Sequence, residues 1–185
     1  MILPKNSILV RVDPDQKREA EIGGRLLLSG KEYSDNWREK CPVIAELMQD
    51  AEMFQGETVI RGTFLICSYT HFDEESYYFL RDDLYAIPIN ELIFATINED
   101  GSLKAVNGNV FVEREYTERA IEIHEDYKRP LYNRGIIASD SGEFKKGQEI
   151  FWLEMADYEM IYTWKGVEMK AIKVEKSEIV GFIRK

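Results

Sequence analysis

The chain says nearly the same thing twice, in the same order. Asn6-Ser7-Ile8-Leu9-Val10-Arg11-Val12 returns as Gly108-Asn109-Val110-Phe111-Val112-Glu113-Arg114. Gly56-Glu57-Thr58-Val59-Ile60 returns as Gly147-Gln148-Glu149-Ile150-Phe151, and Ala86-Ile87 with Glu91-Leu92-Ile93 returns as Ala171-Ile172 with Glu178-Ile179-Val180. Matched segments in a kept order are the signature of a tandem duplication, which limits the fold to two small units of like design. The offset falls from about 102 to 91 and then to about 86, so the first copy carries extra residues between its matched segments. Extra length in a small β-domain forms a surface loop, and function is expected there. The polar turn cluster Asn98-Glu99-Asp100-Gly101-Ser102 divides the copies, giving domains 1–100 and 101–185.

Periodicity predicts an all-β chain. Short runs that alternate or are continuously apolar fall at 8–12, 25–28, 42–47, 58–68, 77–80, 84–89 and 92–97. The second half repeats them at 110–113, 135–138, 149–153, 159–164, 168–174 and 179–183, with turns at Ser141-Gly142 and Lys165-Gly166. Many short strands per hundred residues point to a barrel or sandwich in each copy. Residues 43–54 also admit a helix, since Ile44, Leu47 and Met48 fall at i, i+3 and i+4, but the repeat equates the segment with the strand Gly135-Ile136-Ile137-Ala138.

Composition narrows the partners. With 44% apolar and 31% charged residues over 185 positions, the chain can bury a core. A net charge of −10 opposes binding to a phosphate backbone, so no nucleic-acid partner is expected. No apolar run reaches the roughly 18 residues that span a bilayer, and Met1-Ile2-Leu3-Pro4-Lys5 has no secretory apolar stretch, so no membrane partner and a cytoplasmic location are expected. Cys41 and Cys67 lack short C-x-x-C spacing and read as two buried thiols in a reducing compartment.

Several segments then carry a family resemblance. Pro4, Ile8-Leu9-Val10-Arg11-Val12, and a polar stretch leading into Ile22-Gly23-Gly24-Arg25-Leu26-Leu27-Leu28 resemble the start of the co-chaperonin family typified by GroES. Pro42-Val43-Ile44-Ala45 is similar to that family's strand after its mobile loop, Gly56-Glu57-Thr58-Val59-Ile60 to its glycine-acid segment, and Asn90-Glu91-Leu92-Ile93-Phe94-Ala95 to its closing strand. The second copy supplies Arg134-Gly135-Ile136-Ile137-Ala138, Lys146-Gly147-Gln148-Glu149-Ile150 and Lys176-Ser177-Glu178-Ile179-Val180. The resemblance implies two tandem GroES-like β-barrels, a GroEL-type chaperonin as partner, a homo-oligomeric ring, and Ile22, Gly23, Gly24, Arg25, Leu26, Leu27 and Leu28 as the chaperonin-binding segment. The second copy has no Gly-Gly followed by an apolar triplet, so one loop per chain is expected. The family's roof hairpin is not expected, because the interval that would hold it is short in both copies, 46–55 and 139–146.

The loop has its own physical logic. Residues 13–21 are almost wholly polar or charged, too poor in apolar side chains to offset ordering entropy. Gly23-Gly24 supplies a joint and Leu26-Leu27-Leu28 an apolar plug, which an apical groove would take as an extended peptide whose weak contacts multiply around a ring. The alternative is that residues 25–28 are simply the second strand of the barrel, with Gly23-Gly24 as its turn.

Catalytic signals are sparse. His71 and His124 have no partners at metal-ligand spacing, and the runs Asp73-Glu74-Glu75 and Asp82-Asp83 lack the spaced oxygens and glycine of a calcium loop. No nucleophile elbow, P-loop or dinucleotide fingerprint occurs, so no catalytic residue, metal or cofactor is expected. Aromatic residues crowd corresponding spans, Tyr69, Phe72, Tyr77, Tyr78, Phe79 and Tyr85 in one copy and Phe151, Trp152, Tyr158, Tyr162 and Trp164 in the other. Most are expected in cores and cross-strand pairs, with the remainder along a seam between domains or subunits. A co-chaperonin is therefore the expected function; the rival is a ring-forming structural or adaptor subunit, for example of a phage assembly, that reuses the fold without a chaperonin.

Overall fold

The structure, a computed structural model, describes residues 3–13, 21–22, 25–26, 42–53, 56–68, 72, 78–117, 129–153 and 157–183. The first half contributes β1 (Ser7–Val12), β2 (Glu21–Ile22), β3 (Arg25–Leu26), β4 (Val43–Leu47), β5 (Ala51–Glu52), β6 (Thr58–Val59), β7 (Phe64–Cys67), β8 (Phe79–Arg81), β9 (Leu84–Pro88), β10 (Ile93–Ile97) and β11 (Leu103–Ala105). The second contributes β12 (Asn109–Thr117), β13 (Arg129–Ile137), β14 (Glu149–Trp152), β15 (Asp157–Trp164), β16 (Val167–Glu175) and β17 (Ile179–Ile183), with one 3₁₀ turn at Lys176–Glu178. The fold is all-β, and no α-helix occurs among the described residues. Val43–Leu47 is a strand, as the repeat implied and against its helical spacing.

Two main sheets form, and neither closes into the expected barrel. The first runs in the order β11-β10-β7-β4-β1-β9-β8 and the second in the order β15-β16-β12-β13-β14-β17. Closure needs end strands that can hydrogen-bond to each other. In the first sheet the end strands β11 and β8 are three residues each and do not meet. Its concave face is instead stoppered by the small β5–β6 hairpin, which inserts Met53 and Val59 among Ile8, Val10, Leu47, Leu65 and Ile87. Only its first strand lies in the interval 46–55; the second, Thr58–Val59, belongs to the glycine-acid segment, and the pair packs on the first core.

The two strand orders match strand for strand once β11 is set aside: β10-β7-β4-β1-β9-β8 against β17-β14-β13-β12-β16-β15. Val10 pairs with Leu47 and Tyr85 as Val112 pairs with Ile137 and Ile172. This register corrects part of the sequence alignment. Gly147 corresponds to Gly62 rather than Gly56: Gly62 N–H donates to the Leu47 carbonyl and Leu47 N–H to Thr63, as Gly147 N–H donates to Ile137 and Ile137 N–H to Gln148. Residues 56–60 were the better match by residue type, but Thr58–Val59 pairs only with β5, outside the main sheet. Likewise Ile87 corresponds to Val174, and Leu92 to Glu178, because Ser68 N–H donates to Leu92 as Leu153 N–H donates to Glu178.

Strand β1 shows why the sheet has two unequal faces. Ile8, Val10 and Val12 are buried on the concave side while Arg11 faces water. On β4 and β7, however, the opposite face is buried too, through Ile44 and Ile66. That convex face belongs to a third cluster, in which Ile44, Ile66, Phe94, Ala95, Ile97, Leu103 and Ala105 meet Phe111, Met160 and Tyr162 of the second half. The β15–β16 hairpin makes this possible. It pairs over eight residues to a tight turn at Lys165-Gly166, both in the left-handed region (φ 48° and 82°) that a two-residue type I′ connection requires. Its tip reaches the first half: Tyr162 donates its hydroxyl to the Gly101 carbonyl at 3.0 Å, Trp164 donates from Nε1 to the Glu99 carbonyl at 3.2 Å, and the Trp164 ring stands edge-on to Phe64. The polar cluster taken as the boundary is thus a hairpin turn inside the first sheet, and the passage between sheets follows at Val106-Asn107-Gly108.

The second sheet has its own core of Val110, Val112, Ile137, Phe144, Ile150, Trp152 and Val174. Trp152 lies so close to β13 that a Cβ on Gly135 would meet its ring at 3.0 Å and the Glu113 carbonyl at 2.6 Å. Gly135→Ala is expected to lower the unfolding free energy by about 2–4 kcal/mol, read from the denaturant midpoint. Gly181→Ala, where nothing lies within 4 Å, is expected to leave it unchanged. Met160→Ala should cost about 3 kcal/mol and move tryptophan fluorescence and far-ultraviolet circular dichroism together, since Met160 is wholly buried in the cluster both halves share. Separate transitions would show that the seam does not couple the halves.

Candidate functional site

The two halves differ most between their first two sheet strands. From Val10 to Leu47 is 37 positions and from Val112 to Ile137 is 25, so the first half carries twelve more residues there. In the second half β12 and β13 stay paired out to Thr117 opposite Arg129. In the first, the described pairing of β1 with β4 ends at Val12 opposite Ala45, and of the residues between Asp13 and Pro42 only 21–22 and 25–26 are described. The root of this stretch is fixed. Val12 N–H donates to the Asp83 carbonyl at 2.9 Å, and the Arg11 guanidinium lies 3.4 Å from Asp83 and 3.8 Å from Glu46. These exposed pairs orient the root more than they stabilise it.

Within this stretch the backbone makes one small ladder, Glu21 opposite Leu26 and Ile22 opposite Arg25. Among the described residues this two-stranded unit pairs with no other strand; Leu27 and Leu28, the rest of the segment that the plain-strand alternative covers, lie outside the described residues. Among the proposed binding residues, Ile22, Arg25 and Leu26 fall on this ladder; Gly23, Gly24, Leu27 and Leu28 lie outside the described residues.

Among the described residues, the groups that carry covalent or metal chemistry are not brought together. Cys67 is wholly buried in the first core, and burial pushes its thiol far above the usual range, so it is neither a nucleophile nor a ligand in the folded chain. Cys41, His71, His124 and Asp73-Glu74-Glu75 lie outside the described residues. Asp82-Asp83 forms the β8–β9 turn, where Asp83 faces Arg11. Among the described residues no three His, Cys, Asp or Glu side chains come together as a metal site.

One buried charge was not legible in the sequence. Lys173, 6% exposed, lies at the seam with its ammonium 4.7 Å from the Phe94 ring centroid and 3.3 Å from Glu175. Desolvation lowers its pKa, while Glu175 and Glu91 oppose that shift. The aliphatic stem covers apolar surface between the halves while the head keeps a carboxylate and two aromatic faces. The aromatic crowding divides as anticipated between cores and seam: Phe72 and Phe79 stand edge-on to Tyr85 on the first sheet, Trp152 fills the second core, and Tyr158, Tyr162 and Trp164 line the seam.

Comparison with protein-family models, with curated proteins and with solved structures finds no match to this chain. Its chemistry is therefore argued from its own residues. In a Cys41→Ser background, Cys67 should not react with a thiol reagent until denaturant is added. Rapid labelling of the native chain would place that thiol at an accessible site. Cys67→Ser should cost about 1–3 kcal/mol, since it buries a hydroxyl among apolar neighbours.

Proposed function

We propose that the chain is a co-chaperonin built from two tandem GroES-like domains, and that Ile22, Gly23, Gly24, Arg25, Leu26, Leu27 and Leu28 form the segment captured by a GroEL-type chaperonin. The observation that carries this reading is that the long segment between β1 and β4 holds a small ladder of Glu21–Ile22 with Arg25–Leu26, which pairs with no other strand among the described residues. Three successive leucines, Leu26, Leu27 and Leu28, would serve as an extended apolar ligand, ordered on contact with a groove. The shared strand order of the two sheets supports the duplication, with one half keeping the short hairpin connection and the other expanding it. Affinity per loop is weak in such a design, and a ring of loops supplies the rest through avidity.

A second reading, a ring-forming structural or adaptor subunit, is favoured by one observation: β17, the last strand of the second sheet among the described residues, exposes Val180, Phe182 and Ile183. Such a strand suits assembly whether or not a chaperonin takes part.

Chaperonin, nucleotide and the purified chain are expected to comigrate as one complex. Replacing Leu26, Leu27 and Leu28 together with serine should leave the unfolding midpoint within about 0.5 kcal/mol of the parent while abolishing capture. A folded triple variant captured as well as the parent would overturn the assignment of the plug. A parent that forms oligomers but is never captured would favour the adaptor.

A further inference from the structure

The chain passes from β10 to β11 through one turn. β10 ends at Ile97, the chain turns at 98–102, and β11 pairs back with the strand it has just left, Leu103 opposite Ile97 and Ala105 opposite Ala95. β11 then runs on through Val106-Asn107-Gly108 into β12. β11 and the second half are thus one unit, covalently joined to the first half at this turn alone. That unit holds the first half through the β10–β11 ladder, through Asn109 Nδ2 on the Glu91 and Ile93 carbonyls, and through the shared apolar cluster. None of these contacts requires both halves to belong to the same chain. With the turn opened, β10 and β11 would run on as one strand, and the same contacts would form with the first half of a second copy, which is the geometry of a domain swap.

The turn is held shut from within and from without. Within it, Asn98 N–H donates to the Ser102 carbonyl at 2.9 Å and Gly101 N–H to the Asn98 carbonyl at 3.0 Å, while Asp100 Oδ1 accepts from the Ser102 N–H and hydroxyl. From outside, the tip of the β15–β16 hairpin sets three donors on its carbonyls: the Tyr162 hydroxyl on Gly101, and Trp164 Nε1 and Lys165 Nζ on Glu99. These bonds are made to the turn itself, so they are the ones an opened turn gives up. Gly101 lies at φ 87°, in the left-handed region that favours glycine, and a Cβ there would stand 3.0 Å from the Trp164 ring. An extended segment has neither constraint. Continuing the register of β10 and β11 through the opened turn brings Glu99 opposite Gly101 and Asp100 opposite Asp100 of the second copy, a pair of like charges that opposes the swap.

We propose that two copies of this chain swap their second halves by opening the turn at 98–102, and that the tip of the β15–β16 hairpin is the catch that keeps the turn shut in the single chain. In the swapped pair the convex face of each first half is covered by the hairpin of the other chain, and the pair is two-fold symmetric about the hinge. The choice is made during folding. Until the hairpin docks, that face accepts the hairpin of either chain, so high concentration favours the swap. The inference rests on the turn and the seam and not on capture by a chaperonin.

A cross-strand disulfide reads which chain supplies β11. Ala95 and Ala105 alternate with the bonded positions Phe94–Val106 and Asn98–Ser102, so they form a non-hydrogen-bonded pair, the kind whose side chains lie closest. Ala95→Cys and Ala105→Cys are placed in the full chain with Cys41→Ser and Cys67→Ala, the protein is refolded and then oxidised, and denaturing electrophoresis without reductant separates the products. Ile97 and Leu103 are the next such pair if these substitutions unfold the chain. Dilute refolding should give an intrachain bond, and concentrated refolding a covalent dimer with two interchain bonds and no free thiol. Gly101→Val should raise the dimer fraction several-fold at either concentration. Should that variant fail to fold, Tyr162→Phe with Trp164→Phe, which removes two of the three donors without adding bulk, should raise it likewise. A concentrated parent without covalent dimer, a dimer that keeps free thiols, or folded turn variants with the parent's dimer fraction would each overturn the proposal.

Discussion

The seam between the sheets depends on one exchange: β11 is continuous with the second half but hydrogen-bonds to the first. That pairing covers the edge of β10 and brings β12 alongside, so Phe111 and the long β15–β16 hairpin lie over Ile44, Ile66 and Phe94. Side chains on both faces of β4 and β7 are buried as a result. A half-buried antiparallel strand alternates; these strands read as near-continuous apolar runs because each face has its own partner. Residues of both halves contribute to this one cluster, so the halves are coupled by burial rather than by a flexible linker.

Much of the strand content was legible because alternation in Ile8-Leu9-Val10-Arg11-Val12 and the polar turn clusters follow directly from the pleat and from turn chemistry. A correspondence between the halves was legible at β1 and β12, where side-chain type and strand pairing agree. It failed at Gly56, where an acidic neighbour made a better textual match than Gly62, although the backbone bonds of Gly62 are those of Gly147. Periodicity says that a strand has an inner face but not which strand lies next to it. The open sheets were illegible for that reason, since whether β8 and β11 meet is decided by strand length and curvature rather than by residue type. Lys173 was equally hidden: a lysine between Ile172 and Val174 reads as the wet side of a strand until the opposite half is laid on it.

At the described ends of the stretch from Asp13 to Pro42, Arg11, Glu46, Asp83 and the Val12 hydrogen bond tie β1 to its neighbour β4 and to the β8–β9 turn. Of the residues between, Glu21–Ile22 and Arg25–Leu26 pair with each other and with no other described strand.

The length of the β15–β16 hairpin also bears on how the chain comes to be folded. The convex face of the first sheet waits for Met160 and Tyr162, and the hairpin that holds them is complete only at Glu175. A nascent chain would therefore carry an uncovered apolar face until that hairpin has emerged, and the contacts that cover it join residues about a hundred positions apart, which makes the docking of the hairpin a late and slow step of folding.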